Sequence, residues 1–260
     1  MANSIPPCCA SAAPRVILAQ RLKDGSWQDI EDMLSPEELV QVSWAEEDKP
    51  FSLCRIWAWP EDLAPLALGH VLLDHAHPAM RSDEPQALRG LRHTGRVLEN
   101  GPRSFTVEAK AIARAEESFP APVSGSRLLE AMTEFMAEES LWNKTGCFHR
   151  AGLYDSRAHK LIHRAEDIGR HNCIDRLAGY AVMNKLEPSG YILLLSSRIT
   201  ASLYAKAQRA GFFYMAASSA VTSAAVDLAA SQGVTLVGFA RTGERRLTVF
   251  ADSRGGVLTT

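Results

Sequence analysis

What this sequence lacks narrows it first. No two of its five cysteines (Cys8, Cys9, Cys54, Cys147 and Cys173) stand in a C-x-x-C spacing. That removes the commonest zinc ribbon and the thioredoxin-type redox motif, and no metal site is read from the spacing. An odd, scattered set in a chain of 260 residues is no disulfide framework, so a reducing cytoplasm is the expected compartment. No run approaches the roughly 18 apolar residues of a membrane span. One arginine and no apolar core before residue 20 do not read as a secretory signal. Neither charge sign dominates: 28 basic residues oppose 30 acidic ones, for a net charge of −2. That argues against a bulk electrostatic footprint for nucleic acid. There is no G-x-G-x-x-G or Walker-type loop, so simple dinucleotide or P-loop chemistry is unsupported. No H-x-E with P-C-x-x-C occurs, so zinc deamination is unsupported too.

What is present is an ordinary globular balance, 46% apolar and 22% charged residues. At roughly 150 residues per domain the length suggests one large domain or two small ones. Residues 1–14 hold three prolines among Ala and Ser and read as a frayed leader that carries the tandem Cys8-Cys9. Residues 15–120 read as a small α+β unit. Within it Ser35-Pro36-Glu37-Glu38 forms a capping box that predicts a short helix. Residues 51–59 predict a strand, Pro60-Glu61-Asp62 start a helix, and 97–113 suggest strand pairs. The run EESFPAPVSG (115–124) reads as a linker, and 125–142 as an amphipathic helix with Leu128, Leu129, Met132, Phe135, Met136 and Leu141 on one side.

From residue 145 on, short apolar runs alternate with helical stretches. Strands are predicted at 160–165, 191–195, 212–216, 234–239 and 247–250, with helices at 172–185, after 198 up to 209, and up to 230. This order implies an α/β fold of βαβ units around a mostly parallel sheet covered on both faces. In such sheets ligands gather at the carboxyl ends of the strands. Three predicted ends carry polar clusters: 166–172, with Asp167, Gly169, Arg170 and His171; Ser196-Ser197-Arg198-Ile199-Thr200; and Ser218-Ser219-Ala220-Val221-Thr222. Each leads into a helix N-terminus, where free N–H groups favour an anion. Any single Ser or Thr there could be a helix cap. Three such clusters on one edge, two with arginine, point to an anionic ligand. His171 and His149 sit in polar, glycine-containing loops and are the candidate histidines. Asp175 reads either as part of a solvated face or as a residue orienting the loop.

The same residues carry a resemblance. EDIGRHNCIDRLAG (166–179), TGCFHRA (145–151), SSRITASLYAKAQRAG (196–211), SSAVTSAAVDLA (218–229) and TLVGFAR (235–241) resemble, in order and spacing, the signatures of the formate dehydrogenase accessory sulfurtransferase family, FdhD. WPEDLAPLALGHVLLDH (59–75) is similar to its T-P-x-D-L-x-x-L-A-x-G-F segment. The likeness is dense over 145–250 and thin over 20–120. It implies a cytidine-deaminase-like three-layer domain over 121–260, with the smaller α+β domain before it, and a homodimer. It implies that sulfur from a cysteine desulfurase passes to bis-molybdopterin guanine dinucleotide, which then serves the catalytic subunit of formate dehydrogenase. GDP is then a partial mimic of the cargo. By the same likeness the cofactor segment is Phe239-Ala240-Arg241-Thr242-Gly243-Glu244.

One family feature is missing. Where the family carries C-G-x-C-G, this sequence has Arg114-Ala115-Glu116-Glu117-Ser118-Phe119-Pro120. A persulfide carrier needs a thiolate, and neither Ser118 nor Glu116 can supply one. Cys147, two residues before His149, is the alternative carrier; Cys173 and Cys54 read as packed. Three readings follow: an accessory protein that holds the cofactor, with Arg170, His171, Ser197, Arg198, Ser219, Thr222 and Arg241 as contacts; a sulfurtransferase using Cys147 or a partner's cysteine; or an interaction paralogue without a ligand.

Overall fold

The computed structural model describes residues 13–46, 49–77, 80, 92–112, 118–137, 139–241 and 243–259. Cys8, Cys9, Thr242 and residues 114–117 of the segment that lacks the cysteine pair therefore lie outside the described residues.

The chain opens with an antiparallel hairpin, β1 (Arg15–Lys23) and β2 (Ser26–Leu34). Asp24 and Gly25 turn it with φ of 50° and 80°, the paired positive φ that an Asp-Gly hairpin supplies. A four-stranded sheet follows: β3 (Glu38–Glu46), β4 (Lys49–Ala58), β5 (Arg92–Gly101) and β6 (Ser104–Ile112), in the order β4-β3-β6-β5. The short helix expected at residue 35 is absent, because β3 starts at Glu38. Val40, Val42 and Trp44 alternate into the core, and the Glu38 carboxylate pairs with Arg103 instead of closing a capping box. Alternating β-branched burial outweighs a local cap signal.

Trp59-Pro60-Glu61-Asp62 then lead into α1 (Leu63–Val71), which continues as a π-helical turn, Leu72–Ala76. Helix α1 lies against α4 (Arg170–Met183) at backbone contact. A Cβ on Gly69 would sit 1.8 Å from the Asp175 carbonyl oxygen, and one on Gly179 1.9 Å from that of Pro65. Only glycine permits this crossing.

The second half contains β7 (Val123–Ser124), α2 (Gly125–Ala137), α3 (Leu141–Thr145), β8 (His149–Asp155), β9 (Lys160–Asp167), β10 (Ile192–Leu195), α5 (Ala201–Arg209), β11 (Tyr214–Ala217), α6 (Ser223–Gln232), β12 (Thr235–Arg241), β13 (Arg246–Ala251) and β14 (Val257–Leu258), with α4 between β9 and β10. Six of these strands form one sheet, β13-β12-β11-β10-β8-β9. It is mixed, not mostly parallel: β10, β11 and β12 are parallel neighbours, while β8 and β13 run against theirs. The reason is connection length. β8 ends at Asp155 and β9 begins at Lys160, too close for the helical crossover that a parallel pair needs. The helix expected over 125–142 stops at Ala137, and a separate short helix, α3, starts behind a Ser140–Asn143 capping box.

Successive residues of the central strands face opposite layers. Tyr154, Ile192, Leu194, Tyr214, Ala216 and Val237 pack under α2 through Leu128, Met132 and Phe135. Leu153, Leu193, Leu195, Met215, Ala217 and Leu236 pack against α4, α5 and α6 on the other side. Coverage on both faces is why these strands read as continuous apolar runs. The second of these clusters continues through α1 to Val40, Val42, Phe105 and Val107 of the four-stranded sheet.

Candidate functional site

The strand directions gather five chain segments at one edge of the six-stranded sheet. β9, β10, β11 and β12 end there, and antiparallel β8 begins there, with His149 paired to Asp167 and Ala151 to Leu195. The loops after β10 and β11 are stitched side by side. The Ile199 N–H donates to the Ala220 carbonyl and the Thr222 N–H to the Ile199 carbonyl, both at 3.0 Å. The next stitch is the Phe239 N–H to the Ser219 carbonyl at 3.0 Å. Helices α4, α5 and α6 all begin at this edge, so their free N–H groups point along it.

Several of the expected ligand residues are committed to the scaffold. Asp167 is fully buried and takes four hydrogen bonds: Gly169 N–H at 3.0 Å, Asn172 Nδ2 at 2.9 Å, and Arg176 Nε and Nη2 at 2.9 and 2.7 Å. Arg176 also donates to the carbonyls of Trp59, Glu61 and Asp62 at 2.7–2.8 Å. This buried pair therefore ties the segment before α1 to the start of α4. Ser196 Oγ accepts the Arg150 N–H at 2.8 Å, Ser218 Oγ donates to the Ser196 carbonyl at 3.1 Å, and Ser197 is buried with its Oγ on the Arg198 carbonyl at 3.3 Å. Glu244 pairs with Arg241 at 2.7 Å and Arg246 at 3.3 Å, and both guanidinium groups lie over Phe239, which has φ of 51°.

Others keep their polarity available. Arg198 is exposed and its guanidinium makes no hydrogen bond or ion pair among the described residues, and Thr222 opens α6 without a side-chain cap bond. Arg170 stands at the first position of α4 with its Nε buried and unpartnered among the described residues. An unpartnered buried N–H is costly unless a ligand oxygen completes it. His149 lies below the ordinary imidazole range through burial, with Arg170 and Arg198 pushing the same way. His171, 3.3 Å from Ser202 Oγ, is lowered by burial, then by Lys206 and Arg170. Burial and neighbouring cations thus favour the neutral form of both imidazoles.

A cavity of about 360 Å³ opens at the ends of β11 and β12, on the α2 side of the sheet. It is lined by Met132, Thr133, Met136 and Ala137 of α2 together with Ser218, Ala240, Arg241 and Gly243. The size lies within the range of small-molecule sites. Ala240, Arg241 and Gly243 of the expected cofactor segment thus border a cavity, while the sequence places the α2 methionines only on the apolar side of a helix; their flexible thioethers suit a ligand wall equally well.

Of the described cysteines, Cys147 is exposed, just after the left-handed Gly146. Cys173 is fully buried, and burial pushes its thiol far above the usual range. Asp175 is not on a solvated face. It is fully buried and joined to Lys206 at 2.7 Å, which also bonds Asp74 at 2.8 Å, while Arg209 reaches Asp74 at 2.8 Å and His70 lies 3.3–3.5 Å from both carboxylates. Buried Arg150, missed by sequence reasoning, pins the loop before β8 through Met136 O at 2.8 Å, Asn143 Oδ1 at 3.0 Å, Ser140 and Glu166.

A model of the FdhD/NarQ family matches residues 79–255, more than half of the chain. The chain belongs to the FdhD/NarQ family. Protein FdhD of Methanocaldococcus jannaschii is 33% identical over 117 residues, covering 45% of this chain and 51% of that one. Sulfur carrier protein FdhD of Streptomyces coelicolor is 39% identical over 134 residues, covering 51% and 47%. The chain thus spans about half the length of these two relatives. A third FdhD/NarQ relative, from Xanthomonas axonopodis pv. citri and also named a sulfur carrier protein, is 27% identical over 260 residues, 90% of this chain and 91% of that one. The fold is that of a crystal structure from Desulfotalea psychrophila assigned as a formate dehydrogenase accessory protein, with a TM-score of 0.73 at 18% identity over 95% of this chain and all of that one. No helix among the described residues is long and apolar enough to cross a membrane.

Proposed function

We propose that this FdhD/NarQ member is a cytoplasmic accessory protein that holds bis-molybdopterin guanine dinucleotide as cargo and supports its sulfuration or delivery to formate dehydrogenase. The observation that carries the reading is that Arg170, Arg198 and three helix N-termini share one sheet edge, where a cavity of about 360 Å³ is bordered by Ser218, Ala240 and Arg241 at the ends of β11 and β12. Diphosphate oxygens suit the arginines and helix ends. A guanine ring suits the methionine-walled cavity. In this reading the three-layer half is of the cytidine-deaminase type and the protein works as a homodimer. Calorimetry with GDP and with purified cofactor tests it. Micromolar binding is expected. Arg170→Glu and Arg198→Glu each weaken it roughly 10- to 150-fold, as loss of a charged hydrogen bond worth about 1.5–3 kcal/mol requires. No binding by wild-type protein in that range overturns the reading.

The exposure of Cys147 favours a second reading, sulfur transfer through this thiol. Its thiolate would attack the outer sulfur of a persulfide on a cysteine desulfurase. A new S–S bond forms on Cys147, the desulfurase S–S bond breaks, and that cysteine leaves as thiolate. Incubation with a desulfurase and cysteine, then alkylation and mass spectrometry, decides it. A persulfide on Cys147 supports transfer, and an unlabelled Cys147 removes it and leaves the holding role.

A further inference from the structure

We propose that Cys54, His70 and His75, none of them a residue of the strand-end clusters, form a binding site for a divalent cation of the zinc class. The three side chains come from β4, from α1 and from the π-helical turn that follows it. Their ligand atoms, Sγ and two ring nitrogens, all lie within 4.8 Å of one another. The two Nε2 atoms face each other at 3.3 Å. Two nitrogens bound at about 2.0–2.1 Å to one tetrahedral ion stand about 3.3–3.4 Å apart, so the imidazoles already hold a chelating separation. One thiolate and two imidazoles is a donor set that suits zinc over magnesium or calcium, which take oxygen ligands.

The surroundings orient the same atoms. His70 Nδ1 lies 3.3 Å from Asp74 Oδ2 and 3.5 Å from Asp175 Oδ2. A carboxylate on one ring nitrogen leaves the other to a metal, and this pairing recurs behind metal-bound histidines. Those carboxylates are themselves held by Lys206 at 2.8 and 2.7 Å. The His75 ring is stacked on Trp44 at 4.0 Å. A five-residue separation on a regular helix turns two side chains about 140° apart. The π-helical turn, Leu72–Ala76, is wound more loosely and reduces that offset, and such turns often mark functional sites. Three protein ligands leave a fourth position for solvent or an added ligand. Bound metal would join the four-stranded sheet to α1.

The test uses the untagged full chain, reduced and stripped with a chelator. Zinc is titrated against a chromogenic competitor, and cobalt is added separately as a spectroscopic probe. One equivalent of zinc is expected, with a rise in melting temperature. The cobalt form should show a thiolate-to-metal band and ligand-field absorption of four-coordinate strength. Cys54→Ser and His75→Ala lower zinc affinity at least 100-fold, while Cys8→Ser/Cys9→Ser leaves it unchanged. The proposal is overturned by failure of the wild-type chain to take up one equivalent, by cobalt spectra without a thiolate band, or by unchanged affinity in Cys54→Ser. The two histidines would then share a hydrogen bond only. The cobalt spectrum of the wild-type chain decides the matter even where a variant does not fold. None of these outcomes depends on cofactor binding at the strand ends.

Discussion

Replacing Asp167 by Asn separates a scaffold role from a ligand role at the strand-end edge. Asp167 has no exposed surface and takes two hydrogen bonds from Arg176, itself 3% exposed. Removing the charge leaves a buried guanidinium without its counter-ion, which costs about 3–5 kcal/mol. Against a total of about 5–15 kcal/mol that is a large fraction. At a urea dependence of about 3 kcal/mol per molar, the midpoint should fall by roughly 1–1.7 M with an unchanged slope. Arg176→Met should fall at least as far, because the carbonyls of Trp59, Glu61 and Asp62 lose their donor as well. The double variant Asp167→Leu/Arg176→Met should recover part of the loss, since an apolar pair can replace a buried ion pair. Recovery stays incomplete because those three carbonyls remain unpaired. Urea unfolding followed by circular dichroism reads all three. An Asp167→Asn midpoint within about 0.3 M of wild type, together with lost GDP binding, would refute the scaffold assignment.

Other expectations follow from close approaches and exposure. Gly69→Ala and Gly179→Ala should each lower the melting temperature sharply, by overpacking worth about 3 kcal/mol or more, since each Cβ meets a backbone oxygen within 2 Å; a near-native melting curve for either would mean that the helices can separate cheaply. Iodoacetamide should label Cys147 in the native protein and spare Cys173 until denaturant is added, as peptide mapping can show; native labelling of Cys173 would contradict its burial. Thr133→Trp, at the exposed wall of the cavity, should reduce GDP affinity at least about tenfold with little change in melting temperature, because displaced ligand contacts do not hold the fold. Unchanged affinity would move the guanine site elsewhere.

Legibility in the sequence followed burial. β10, β11 and β12 could be read because both faces are covered and the runs stay apolar throughout. β8 could not. Its Gly152 exists because a Cβ there would meet the Phe135 ring at 2.9 Å, and a glycine between short polar stretches reads as a loop. Losing β8 from the reading also hid the sheet's mixed direction, and with it the reason why His149 stands on the same edge as Arg170 and Arg198. The helix expected at residue 35 failed for the opposite reason: its local cap signal is real, but Val40, Val42 and Trp44 find partners far along the chain. Likewise nothing local says that Arg176 turns back to Asp167, or that a π-helical turn brings His75 round to His70.

The two stitched loops make the functional argument more specific than the cluster of polar residues did. Ser196-Ser197-Arg198-Ile199-Thr200 and Ser218-Ser219-Ala220-Val221-Thr222 occupy equivalent places, each after a parallel strand and each ending on the N-cap threonine of a helix. In both, the first serine is tied to the neighbouring backbone. The Ile199 and Val221 positions bridge the loops. Those shared features explain themselves as architecture. The third position does not: it is Ala220 in one loop and Arg198 in the other, so the loop geometry has no need of a guanidinium there. Arg198 is exposed and its guanidinium has no partner among the described residues, and Arg170 at the same edge keeps a buried Nε without one. The proposed anionic cargo would account for charge held at that edge, and Arg198→Ala is the substitution that should cost GDP binding while leaving the fold untouched.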